Sequence, residues 1–120
     1  MDYKEILKNY GNDVEGTLNR FGGNQNLYRK FITLFFQNEE LKKMRELYNN
    51  KEYEELRMAA HTGKGIARNM GFTKLYKMLE EIVDKLHKEE YDGIGEMIEK
   101  VLDERENLKK ALKEADDLYF

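Results

Sequence analysis

The sequence predicts an all-α fold: an antiparallel up-down-up-down four-helix bundle with two short N-terminal helices covering one end. Three observations carry this. The 120-residue chain has no proline, and 38% of its residues are charged, a balance that favours long uninterrupted helices over sheets. Apolar residues recur at helical spacing along most of its length. Glycines and capping residues divide it into segments joined by short loops, as antiparallel helix neighbours require.

The first helix is expected at about 3–10, with Tyr3, Ile6, Leu7 and Tyr10 on one face and Gly11 ending it. Asn12 is expected to start a second short helix, with Glu15 completing an Asn-x-x-Glu capping box and Val14, Leu18 and Phe21 as apolar positions. Gly22-Gly23 breaks the chain again. Asn24 is expected to cap a long helix to about residue 48. Its first stripe is Leu27, Phe31, Leu34 and Phe35, with Phe36 off the stripe; its second is Leu41, Met44, Leu47 and Tyr48. The polar stretch Gln37-Asn38-Glu39-Glu40 is a candidate bend. Asn49 and Glu52 form another capping box, opening a helix at about 51–70 that Gly71 stops. Thr73 is expected to cap the next, at about 74–89, with Leu75, Met78, Leu79, Ile82, Val83 and Leu86 inward. A loop at Tyr91-Asp92-Gly93 leads to the last helix, about 93–115, striped by Ile94, Met97, Ile98, Val101, Leu102, Leu108 and Leu112. Residues 116–120 are expected to fray.

The length suits one domain over 1–120, able to bury about two thirds of its unfolded surface. With no cysteine, disulfides, thiolate metal sites and cysteine nucleophiles are excluded. The net charge of −3 argues against nucleic-acid binding. No apolar run reaches the length of a membrane span, and the N-terminus lacks a signal-peptide apolar core. A cytoplasmic monomer is expected.

The most informative segment is Ala60-His61-Thr62-Gly63-Lys64-Gly65. Two glycines in mid-helix cost roughly 1 kcal/mol each relative to alanine. A helix carries that more readily where something approaches its backbone. Leu56, Ala60, Gly63, Ala67 and Met70 follow steps of four, three, four and three, which is a core seam. At about 100° per residue, His61 lies about 140° from the seam centre and is expected in solvent. Arg57, Lys64, Gly65 and Arg68 fall within about 60° of it. The helix should therefore show a basic strip with His61 in its middle and a gap at Gly65. Gly63 reads as a close-packing site, Gly65 as an access site. A lone helical histidine is most often a plain surface residue, and His87 is read so. A two-histidine metal site from His61 and His87 lacks supporting ligands.

The strip has a chemistry. Neutral imidazole is a good nucleophile at cellular pH. Phosphoryl transfer needs in-line positioning and charge neutralisation more than covalent help. Lys64, one turn along, can place its ammonium on phosphoryl oxygens. This chain offers no carboxylate cluster beside His61.

His61-Thr62-Gly63-Lys64-Gly65, followed by Asn69-Met70-Gly71 and then Leu75, Leu79 and Glu80, resembles the signature of histidine-containing phosphotransfer (HPt) domains. That signature runs His, any residue, Leu, Lys, Gly, small residues, a hydrophobic residue and Gly, then a helix with spaced leucines ending in Leu-Glu. Residues 56–82 match closely. Gly63 stands where leucine is usual, and Ile66 and Arg68 stand where small residues are usual. The resemblance implies a phosphorelay intermediate that accepts a phosphoryl group on His61, at Nε2, from a receiver-domain aspartate and passes it to another receiver. It implies Lys64 as the charge-stabilising residue and Gly65, Arg57 and Arg68 as docking residues. It implies response-regulator receiver domains as partners, with a hybrid histidine kinase a further candidate. Mg2+ is expected on the receiver and no cofactor on this chain. Nothing in the sequence reads as an ATP-binding or kinase signature. Many family members hold the imidazole with a polar residue on the following helix. The aligned position here is Val83, which cannot; Glu80, Asp84 and His87 are neighbouring substitutes. The alternative is therefore a degenerate four-helix module that only docks partners.

Overall fold

The computed structural model describes residues 1–119, and those residues are helical and loop only. The helices are α1 (Tyr3–Asn9), α2 (Val14–Arg20), α3 (Gln25–Gln37), α4 (Lys43–Asn49), α5 (Tyr53–Asn69), α6 (Thr73–His87) and α7 (Ile94–Leu112), with a 3-10 turn (Glu40–Lys42) leading into α4. α5 packs most extensively on α6; α6 packs on α7, and α4 on both α5 and α7. α1 lies against α7 and α2, and α2 against α3. Leu56, Leu75, Leu79, Ile82, Ile98 and Val101 form the centre of the core, all buried. Each such side chain contributes about 1.5–3 kcal/mol of burial.

Several boundaries differ from the sequence reading, each for a local reason. The cap of α2 is Asp13, whose carboxylate accepts from the Gly16 amide at 2.9 Å. Asn12 is diverted: its amide donates back to the Leu7 carbonyl. Asn49 closes α4 and does not cap α5; Glu52 stands at the α5 N-cap without a side-chain bond. Thr73 is the first residue of α6 and turns its hydroxyl back to the Gly71 carbonyl at 3.4 Å. Asn24 caps α3 as expected, accepting from the Leu27 amide at 3.0 Å. The C-terminal tail, expected to fray, is tied back onto the helices at several points. Ala115 and Leu118 are buried, and the Asp117 carboxylate accepts from the Tyr3 amide at the start of α1. Phe120 lies outside the described residues.

The largest difference is the expected helix over 24–48, which breaks. Asn38 turns extended, with ψ near 125°. In a continuous helix the Phe36 and Asn38 carbonyls would accept from the amides of Glu40 and Lys42. Here the Glu40 amide bonds the Asn38 side chain and the Lys42 amide bonds the Glu39 carbonyl. The two vacated carbonyls accept instead from the Arg105 guanidinium on α7, at 3.0 and 2.8 Å. The face of α3 also differs. Tyr28, Ile32, Phe35 and Phe36 are buried, whereas Phe31 and Leu34 are exposed. Both faces of α3 are apolar, so periodicity alone could not choose between them. Phe36 packs edge-on against Phe35 and tilted against Phe72, which fixes the choice.

Candidate functional site

The site is built on α5 and the turns that hold it. Gly71 ends the helix with φ near +71°, and a Cβ there would collide with Thr17 and with the Asp13 backbone. That close approach lets the Asp13 amide donate to the Gly71 carbonyl at 3.0 Å. Arg20, on α2, donates to the terminal Arg68 and Asn69 carbonyls of α5, supplying partners and positive charge where the helix dipole favours them. At the other end, the Tyr53 ring stacks on Tyr91, centroids 3.8 Å apart. α5 is thus pinned at both ends, and its rotation about its own axis is set by its seam.

The seam is Leu56, Ala60, Gly63, Ala67 and Met70, all buried. Its small residues let neighbours approach. A Cβ on Gly63 would lie 2.6 Å from a Leu41 methyl and 3.5 Å from a Leu79 methyl. Opposite the seam, His61 is exposed. It makes no hydrogen bond or ion pair among the described residues. Lys64 is partly buried and in no ion pair among them, and Arg68 is exposed. Gly65 is open: nothing lies within 4 Å of an added Cβ. Arg57 is not a free cation. It donates to Glu54 through two nitrogens, at 2.5 and 3.3 Å. That pairing holds the Glu54 carboxyl below its ordinary range and raises the Arg57 guanidinium.

One of the substitutes for an imidazole holder is engaged elsewhere. Val83 is buried and apolar. Glu80 accepts from the Tyr76 hydroxyl at 2.7 Å, which pushes the Tyr76 phenol up. Asp84 is exposed, and so is His87, at the rim of a polar pocket with Tyr53 and Arg57. Among the described residues, none of the three bonds to His61. No group of three or more residues that could hold a metal ion occurs among them either.

One component escaped the sequence reading. An apolar groove of about 600 Å³ runs beside His61 between α3, the 3-10 turn and α5. Phe31, Leu34, Met58 and Ile66 line it and are exposed, Met58 to 60 %. Thr62 and Gly63, the two residues after His61, form part of its floor. Contiguous exposed apolar surface rimmed by polar residues is a feature of protein or membrane interaction sites and of ligand-binding grooves. The signal was present in sequence as Met58, Thr62 and Ile66 at steps of four. Phe31 and Leu34, however, read as core.

An exposed imidazole, an unpaired lysine one turn on and an open glycine beside an apolar groove can accept a group delivered by a docked protein. A family model described as Hpt domain matches residues 31–117. No curated protein and no solved structure matches the chain significantly.

Proposed function

The chain belongs to the Hpt domain family, whose members carry out histidine phosphotransfer in phosphorelays with receiver domains and histidine kinases, and from that premise we propose that His61 is its phosphoryl acceptor. The observation that carries this reading is the combination at one exposed point: His61 in solvent, Lys64 unpaired one turn along, and no atom near the missing side chain of Gly65. In the proposed step the Nε2 lone pair of neutral His61 attacks the phosphorus of a receiver's aspartyl phosphate. The P–O bond to that aspartate breaks, and the carboxylate leaves with the bonding pair. Nδ1 keeps its proton. Lys64 stabilises the charge on the three phosphoryl oxygens as the group passes. The reverse step hands the group to a second receiver. Mg2+ and the acceptor carboxylate belong to the receiver. This chain supplies the nucleophile, the cation and the docking surface.

The receiver docks over Gly65 and along the apolar groove; Arg68 and the Arg57–Glu54 pair add charged contacts on the His61 face of α5. The ring of neighbours α4, α5, α6 and α7 supports an antiparallel up-down-up-down four-helix arrangement over a single domain of residues 1–120, with α1 and α2 closing one end. No helix among the described residues is long and apolar enough to cross a membrane, and a cytoplasmic monomer is the setting we propose. The second reading, a module that docks without transferring, is favoured by one observation: among the described residues no side chain holds the imidazole. Incubation with a phosphorylated receiver decides between them. Transfer predicts acid-labile, base-stable phosphate on this chain; its absence despite binding leaves the docking module.

A further inference from the structure

Arg105 is 1 % exposed, the largest fully buried side chain, and no carboxylate pairs with it among the described residues. Burying an unpaired guanidinium is costly unless its donors are used. Its Nε has no partner. Its Nη2 donates to the Phe36 and Asn38 carbonyls, and its head lies 5.8 Å from the Phe36 ring centre. It thus replaces two backbone donors that a continuous helix would have provided, at the point where α3 stops. α3 has no basic residue of its own in its last turn. The chain leaving that point forms the 3-10 turn, whose Leu41 packs where a Cβ of Gly63 would sit. Asn38, Glu40 and Leu41 all line the apolar groove. One side chain on α7, remote in sequence from His61, therefore bonds the point where this part of the lining begins.

We propose that Arg105 is a positioning residue for partner docking: by bonding the Phe36 and Asn38 carbonyls it holds the elbow between α3 and α4 as part of the groove lining. The inference rests on the functional reading above and deepens it. Without the guanidinium, residues 38–42 are free to resume helix, since no proline or glycine lies among them. Leu41 then leaves Gly63, and the groove loses this part of its lining. His61 and Lys64 are not among the residues that line the groove and stay as they are.

The test uses the full chain with Arg105→Met, of similar length and apolar, and Arg105→Lys, which keeps a cation able to bond one carbonyl. Phosphoramidate, a small donor that needs no docking, labels His61 directly. An isolated receiver charged with acetyl phosphate, selected for transfer to the parent chain, measures the docked reaction. The expected result is a KM for the receiver raised about tenfold in Arg105→Met, equivalent to one lost anchoring interaction, and raised less in Arg105→Lys. kcat and phosphoramidate labelling should change less than twofold. An unchanged KM overturns the proposal. So does an equal loss in both reactions, or loss of helicity at 25 °C, because Arg105 then holds the whole fold and not the groove. A parent chain that takes phosphate from phosphoramidate but from no receiver overturns the functional reading, and this inference falls with it.

Discussion

Gly63 and Gly65 stand two residues apart on one helix and meet opposite surroundings. A side chain at 63 would press into Leu41 and Leu79; a side chain at 65 would meet nothing. The same contrast divides α5 lengthwise. One face, Leu56 to Met70, is small, apolar and buried; the other carries His61, Lys64 and Arg68 into solvent. One glycine serves packing between helices; the other faces open space, which we propose leaves room for a partner. Residue type alone cannot separate these uses, because both replace a side chain with space. What separates them is an angle of about 160° around the helix axis, at about 100° for each residue.

The contrast can be broken at several points. The largest effect is expected on the exposed face. His61→Gln should abolish phosphate uptake from a receiver while leaving the melting temperature nearly unchanged, since exposed substitutions usually stay within about 0.5 kcal/mol. Equal uptake removes His61 from the mechanism, whereas a large fall in melting temperature would place it in the core.

The two glycines come next, as a pair. Gly63→Gln overpacks the seam and should destabilise by about 1–3 kcal/mol, read as a melting temperature several degrees lower. Transfer should then fall only as far as folding does. Gly65→Gln should hold or raise the melting temperature, because glutamine is the better helix former by several tenths of a kcal/mol. Receiver docking, measured by titration calorimetry, should weaken sharply. If both variants behave alike, the division of the helix into two faces is wrong.

Lys64→Ala tests the charge on the exposed face. Removing a stabilising donor from a shielded site costs 10²–10³ in rate; this site is open, so single-turnover transfer should slow by less. An unchanged rate makes Lys64 a bystander.

The smallest effect concerns Arg57, partly exposed, and Glu54, exposed, which are bonded to each other at the surface. Glu54 is depressed in the folded chain by the Arg57 hydrogen bond and charge. Its contribution is therefore present above the ordinary carboxylate range and lost as pH falls through the lowered value. In Arg57→Ala, an NMR titration of the Glu54 carboxyl should return to the ordinary range, with little change in melting temperature at neutral pH. A titration that does not move means the pair does not persist in solution.

Sequence by itself determined the helical class, because proline is absent and apolar spacing repeats. It determined the register of α5, because steps of four and three admit one buried face, and so placed His61 and Gly65 away from it. It also located the motif from His61 to Glu80, which lies inside the stretch 31–117 that the Hpt family model matches. Sequence marked the polar stretch 37–40 as a bend, and the Asn38 side chain accepts locally from the Glu40 amide there. Tertiary structure made it a full break, with Arg105, far along the chain, taking the Phe36 and Asn38 carbonyls. Only tertiary structure chose between the two apolar faces of α3. Packing of Phe36 on Phe72 buried one and left Phe31 and Leu34 to line a groove. Local periodicity reports which faces are apolar. Which of them is covered depends on neighbours that arrive from elsewhere in the chain.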